Sequence, residues 1–181
     1  MQILAFAGSL RKGSLNKALL RAVQDLSPDG MEIEIFDLEG IPLFNADIEA
    51  EGDPAKVAEF KQAIREADGV LIASPEYNHG VTGVTKNAID WASRKGADAP
   101  LRGKPAGISG VSPGVTGTAR SQDQLRQSLK AINVICMPQP EVLVFKGREK
   151  FDEQGSLVDE ATRSHMSKFL GALEEWVGKF Q

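Results

Sequence analysis

The feature that most constrains this chain is the alternation of short, wholly apolar runs with longer stretches whose apolar residues recur at helical spacing. Residues 3–7 form an apolar run that stops at Gly8, and residues 70–73 form a second, entered through Gly69 and stopped at Pro75. Runs of that length without alternation read as strands buried on both faces. Between them Leu15, Ala18, Leu19, Ala22, Val23 and Leu26 mark a helix, and Met31, Ile33 and Ile35 interleaved with Glu32 and Glu34 mark a strand wet on one face. Asp53-Pro54 reads as a capping residue followed by proline at the first helical position, ahead of a stripe of Val57, Phe60, Ile64 and Ala67. Glu49, Glu51 and Asp53 read as an acidic loop before that helix. Further on, 83–94 reads as a helix, 105–110 as a strand of small residues, and Leu125, Leu129 and Ile132 as a helix face. Residues 134–137 and 142–145, parted by Pro138 and Pro140, read as one interrupted final strand, and a closing helix carries Met166 through Trp176 and Phe180. Such a rhythm calls for a parallel sheet covered on both faces by right-handed crossovers, a doubly wound three-layer α/β/α sandwich in one domain spanning 1–181. Ligands of such folds sit beyond the carboxyl ends of the strands, at the switch point.

Composition narrows the function classes. Lys and Arg number 21 against 25 Asp and Glu, so a net charge of -4 offers no general attraction to nucleic acid. A single cysteine, Cys136, excludes an internal disulfide, and two histidines, His79 and His165, make a multi-ligand metal site an unfavoured reading. The start of the chain lacks the layout of a signal peptide, and no apolar stretch approaches a membrane span. The expectation is a cytoplasmic domain with no metal, nucleic-acid or membrane partner.

The three loops after strands one, three and four carry the unusual residues. The first, GSLRKGSLN at 8–16, opens into a helix, combines glycines with Ser9, Ser14 and Asn16 and adds Arg11 and Lys12. Helix N-H groups beside such donors suit a phosphate. The loop has neither the GxGxxG spacing of dinucleotide folds nor GxxxxGKS/T, so a monophosphate is expected and ATP hydrolysis disfavoured. The alternative is a polar turn with no ligand. The second, SPEYNHGVTGVTKNAIDWASR at 74–94, offers backbone amides and Tyr77 to a flat heteroaromatic ring, while Trp91 reads as core. The third, at 109–120, is rich in Gly, Ser and Thr and permits close backbone approach. Cys136 reads as a buried small hydrophobe, Asp90 and Arg94 as an i,i+4 ion pair, and Glu32 and Glu34 as a solvated face.

GSLRKGSLN together with PEYNHGVTGVTKNAIDWASR resembles the NADPH-dependent FMN reductase family, most closely its chromate and quinone reductase branch, over nearly the whole chain. The resemblance implies a flavodoxin-like fold with a five-stranded parallel sheet of order 2-1-3-4-5. It also implies non-covalent FMN, with NADPH or NADH as co-substrate, and small-molecule acceptors such as quinones, chromate, azo compounds or flavins. It places the FMN phosphate on Ser9, Arg11, Ser14 and Asn16 with the backbone of Leu10 and Leu15 nearby, and the ring along Pro75, Glu76, Tyr77 and Asn78 with Ser112. No catalytic side chain is nominated, because hydride transfer between nicotinamide and flavin needs none. Thr82 stands where the family commonly has proline, and His79 where it often has an aromatic or small residue. A homodimer or homotetramer is likewise implied. The competing readings are a flavodoxin-type electron carrier that does not itself oxidise NAD(P)H, and a nucleotide-binding module with no redox role.

Overall fold

The computed structural model describes residues 1–94 and 99–181. Its central sheet is built from β1 (Gln2–Ala7), β2 (Glu32–Phe36), β3 (Gly69–Ala73) and β6 (Pro105–Val111), with the short β7 (Ile135–Cys136) and β8 (Val142–Val144) sharing one edge. The order is β2-β1-β3-β6, and every pair in this sheet is parallel. β7 pairs with the start of β6, at Pro105 and Ala106, and β8 with its end, from Ser109 to Val111. The expected 2-1-3-4-5 order therefore holds, with a difference in strand count: the fifth strand is two separate pieces. Its interruption falls at the segment containing Pro138 and Pro140, which lack the N-H groups a ladder needs. A separate antiparallel hairpin, β4 (Glu76–Tyr77) and β5 (Gly80–Val81), follows β3.

Strand side chains alternate between two cores. From β1, Ile3, Ala5 and Ala7 face the layer of α1 (Leu15–Asp25) and α6 (Glu160–Gly178). Leu4 and Phe6 face the layer of α3 (Ala55–Glu66), α4 (Gly83–Ala92) and α5 (Ala119–Ala131). Both layers are fully buried at β3, which explains why its sequence shows no polar alternation. Trp91 is core, as expected, with its indole N-H donating to the Pro42 carbonyl at 2.8 Å. Trp176 packs on the edge of the other core and donates to the Ile135 carbonyl at 2.9 Å. Among the described residues no helix is long and apolar enough to cross a membrane.

Three local readings are corrected. Asp53 does not cap α3; Pro54 holds that position without a side-chain cap bond, and the Asp53 carboxylate instead accepts from Lys61 Nζ at 2.7 Å. Lys61 is 1% exposed beneath Trp91, so its ammonium must be paired, and that demand outweighs a cap. Glu49 and Glu51 belong to a short helix, α2 (Ala46–Glu51), not to a loop. Asp90 pairs with Lys86, four residues before it, and not with Arg94. α4 ends at Ala92, which puts Arg94 outside the helix; its guanidinium lies 5.2 Å from the Phe44 ring centre and donates to Ser93 Oγ at 2.8 Å.

Cys136 is half-buried, and burial pushes its thiol up to about 11. The thiolate is the reactive form, so the native protein is expected to resist iodoacetamide at pH 8, while chain unfolded in urea reacts readily. Equal rates in the two states would contradict this. Because the unfolded thiol ionises first, this group's contribution to stability is intact below about pH 8.5 and declines as pH rises from there towards 11.

Candidate functional site

At the carboxyl end of β1 the chain turns at Gly8, whose N-H donates to the Ala73 carbonyl of β3 at 3.0 Å. A Cβ at Gly8 would lie 1.7 Å from Thr85 Oγ1, so only glycine lets the loop pass this close to α4. Thr82, the N-cap of α4, is buried here: its hydroxyl donates to the Gly8 carbonyl at 2.8 Å and accepts from the Thr85 N-H at 3.2 Å. Its single proton being spent on Gly8, the 2.9 Å contact with Thr85 Oγ1 has Thr85 as donor. Where a proline would only begin the helix, this threonine also fastens the first loop to it.

The loop ends at Ser14, the N-cap of α1, whose hydroxyl accepts from the Lys17 N-H at 3.3 Å and keeps its own proton free. First-turn N-H groups have no intrahelical acceptor, and the first turn of α1 contains no acidic residue. Asn16 is 3% exposed, and its amide is committed: Nδ2 donates to the Val111 carbonyl at 2.9 Å and Oδ1 accepts the Val111 N-H at 3.0 Å. That bonding ties α1 to the end of β6 and leaves Asn16 its backbone N-H for a ligand.

After β3, Pro75 leads into the hairpin, whose tip residues Asn78 and His79 both take positive φ, 51° and 61°. This is the two-residue tip that matches strand twist, and asparagine tolerates it well. Tyr77 is 54% exposed at the edge of a cleft. The Glu76 carboxylate is nearly buried and accepts the N-H groups of Arg120 at 3.1 Å and Ser121 at 3.3 Å, with the Arg120 guanidinium 3.4 Å away. α5 has no side-chain cap of its own, since Thr118 enters it with φ 70°, and Glu76 supplies that cap from another loop. The Ser121 hydroxyl donates to the Pro75 carbonyl at 2.7 Å, so the second loop is tied to the start of α5 through both Pro75 and Glu76.

Between the three loops lies a cleft of about 200 Å³. Ser9, Arg11, Ser14, Leu15 and Asn16 line it on one side, Pro75, Glu76 and Tyr77 on another, and Ser112 on the third. Leu10 and Asn78 do not line it: Leu10 is 47% exposed against a neighbouring apolar hollow with Leu38 and Leu43, and Asn78 is exposed at the hairpin tip. Ser112 lines the cleft, and its Oγ is buried with no hydrogen-bond partner. Arg148 also lines the cleft and escaped the sequence reading. It rides on a 3-10 turn, Gly147–Glu149, laid over the third loop by the Gly147 N-H bonding to the Ser112 carbonyl at 2.8 Å. The segment Lys146-Gly147-Arg148 directly after a predicted strand was its only sequence signal. Among the described residues no cluster of His, Cys, Asp and Glu is arranged to hold a metal.

A doubly wound parallel sheet whose loops after strands one, three and four gather around one cleft defines the flavodoxin-like class of fold. Within it, the chain belongs to the NADPH-dependent FMN reductase family, whose model matches residues 1–149. It is 46% identical over 181 residues to an NAD(P)H-dependent FMN reductase of Pseudomonas aeruginosa, covering 100% of this chain and 97% of that one. It is 42% identical to a quinone reductase of Escherichia coli, covering 98% and 95% of the two chains. Among solved structures, the flavoenzyme NAD(P)H:(acceptor) oxidoreductase FerB of Paracoccus denitrificans superposes with a TM-score of 0.90 at 35% identity, covering 98% and 97%.

Proposed function

We infer that this chain is an FMN-dependent NAD(P)H oxidoreductase that reduces quinones, with FMN held in the cleft between the three loops. The observation that carries this reading is the cleft itself: helix N-H groups, free serine protons and two arginines at one end, and Tyr77 with an orphaned Ser112 hydroxyl at the other. Those groups fit a phosphate joined to a polar flat ring. Ser9, Ser14, Arg11 and the N-H groups of Leu15 and Asn16 would hold the phosphate, with Leu10 adjoining in the loop backbone. Pro75, Glu76, Tyr77 and Asn78 would follow the ring edge through their backbone, and Ser112 would supply a hydroxyl from the opposite loop. When bound, FMN supplies the redox chemistry, taking a hydride from NAD(P)H and passing it to the acceptor.

The residues of the chain orient and screen. Glu76, the carboxylate in the lining, is spent on α5, so no side-chain acid or base stands free in the cleft, and hydride transfer requires none. The chain has one tyrosine, and with Tyr77 as the aromatic in the lining one ring face stays open for a nicotinamide and then a quinone. An electron carrier would gain from covering both faces. Exposed Leu10 and Leu43, 47% and 80% accessible beside the site, support assembly with a second copy, as a cytosolic homodimer or homotetramer.

Stopped-flow mixing of the FMN-loaded protein with NADPH is expected to bleach the flavin band on the timescale of turnover, and benzoquinone to restore it. A band that persists leaves an electron carrier. Arg11→Ala is expected to raise the FMN Kd about tenfold to a hundredfold through loss of a charge-assisted contact of about 1.5–3 kcal/mol, with an unchanged Tm because Arg11 is exposed. An FMN Kd within error of the parent removes Arg11 from the phosphate site.

A further inference from the structure

Three side chains brace the break in the fifth strand. Arg126 Nη1 donates to the Met137 carbonyl at 2.8 Å and Gln122 Nε2 to the Val142 carbonyl at 2.8 Å, both from α5 and one turn apart on one face. His165 of α6 lies 2.7 Å from the Glu141 carbonyl, which can only accept, so its Nε2 is the donor. Where the strand is interrupted, these carbonyls take side-chain donors in place of ladder N-H groups.

Of the three, Gln122 also grips the third loop. It is 2% exposed, and its NH2 group divides between Val142 and Thr118 Oγ1, the latter at 3.0 Å. Its Oε1 is buried with no partner, a cost that the two bonds from Nε2 have to offset. Thr118 is fully buried and takes φ 70°, a left-handed backbone that a β-branched residue adopts only under strain. Gly110 of β6 backs it so closely that a Cβ there would lie 2.1 Å from Thr118 Oγ1. Residues held in such backbone persist where their surroundings over-determine them, and they cluster at ligand clamps.

The two bonds of the amide lead to two walls of the first cleft. Thr118 ends the loop that carries Ser112, a lining residue. Val142 begins β8, and the chain after it holds that same loop at three points. The Val144 carbonyl accepts the Ser112 N-H at 2.9 Å, the Lys146 N-H donates to the Gly114 carbonyl at 2.7 Å, and the Gly147 N-H donates to the Ser112 carbonyl at 2.8 Å. Arg148, next along the chain, lines the cleft too. β8 has a ladder of three residue pairs with β6 and is parted from β7, so it draws its polar tie to α5 from Gln122.

We propose that Gln122, which does not itself line the cleft, is a positioning residue for the flavin site: one buried amide holds the third loop and β8 in register, and so sets Ser112 and Arg148 relative to each other. The proposal rests on the FMN reading above.

Gln122→Met keeps the length of the side chain and removes its donors. Arg126→Met removes the neighbouring brace, on the far side of the two prolines, and is the control. Both are expected to lower the Tm, since each strips a donor from a carbonyl at the break. Gln122→Met alone is expected to raise the FMN Kd, by about fivefold to tenfold for buried hydrogen bonds of this kind, and to change the visible circular dichroism of bound flavin at saturating FMN. In flavin-free protein, hydrogen exchange at the Ser112 and Gly147 amides should quicken in Gln122→Met and stay parental in Arg126→Met. Thr118→Val, which cuts one arm of the clamp and keeps the side-chain shape, should move the same readouts in the same direction by less, and it decides the matter if Gln122→Met does not fold. Kd and dichroism that move equally in Gln122→Met and Arg126→Met, or in neither, reduce Gln122 to a strand brace and overturn the proposal. A parent that takes up no FMN overturns the FMN reading instead; quickened exchange would then still support Gln122 as the residue that positions the loop, and parental exchange would overturn it.

Discussion

Gly8→Ala is expected to lose FMN binding by more than tenfold and to lower the Tm by roughly 6–12 °C. The added methyl carbon would meet Thr85 Oγ1 at 1.7 Å and Thr82 Oγ1 at 2.9 Å, and both hydroxyls are buried. Neither can swing into solvent without abandoning the cap of α4. Either the first loop lifts away or the helix retreats, and both break the bond from Thr82 to the Gly8 carbonyl. Overpacking of about 1–3 kcal/mol and a lost buried hydrogen bond of about 1 kcal/mol sum to about 3 kcal/mol, and a chain of this size loses about 2–4 °C per kcal/mol. The displaced loop carries Ser9, Arg11 and Ser14, so the phosphate donors no longer converge. Thr85→Ala in the same chain removes the nearest obstructing atom and is expected to recover part of both losses, a coupling that independent sites do not show. Thermal denaturation and flavin titration of the two single variants and the double variant measure it. Parental Tm and flavin affinity in Gly8→Ala would mean that the loop does not approach α4 as described.

The architecture was legible because burial imposes patterns that need no knowledge of the partner. Residues 3–7 and 70–73 are apolar without alternation since each is covered on both faces, and helices on both sides of a parallel sheet put the informative loops at one end. The same logic gathers the three loops around one cleft. What the sequence could not display is how individual side chains in those loops are spent. Asn16 reads as a phosphate donor, yet its amide is claimed by Val111, 95 residues away. Glu76 reads as part of a ring edge, yet its carboxylate is claimed by the start of α5, 44 and 45 residues away. Arg148 reaches the cleft only because β8 pairs with the end of β6.

Asp90 shows a different limit. The order Asp90 then Arg94 is the better one for a helix pair, but it requires the helix to persist through residue 94. α4 stops at Ala92, and the carboxylate turns to Lys86 within the helix. Asp53 likewise satisfies a cap pattern locally and serves a buried Lys61 instead. In both cases the local rule is sound, and a boundary or a burial decides against it.

Glu76 separates a structural role from a ligand role most sharply. Glu76→Ala leaves the N-H groups of Arg120 and Ser121 without their acceptor at a helix start that has no cap of its own. At about 1.5–3 kcal/mol for charged hydrogen bonds of this kind, a loss near 3 kcal/mol and a Tm lower by roughly 6–12 °C are expected. Glu76→Gln keeps one acceptor oxygen and the side-chain shape, so about half of that loss should return. FMN affinity is expected to follow stability in this series, falling in Glu76→Ala because the Pro75 carbonyl is bonded to the Ser121 hydroxyl and the ring edge moves with α5. A carboxylate that touched the flavin directly would behave otherwise: Glu76→Gln would then cut affinity or shift the flavin midpoint potential while leaving the Tm in place. The two outcomes are distinguished by plotting Tm against FMN Kd for the parent, Gln and Ala forms, where a single monotonic trend assigns Glu76 to the helix and a Gln point off that trend assigns it to the ligand.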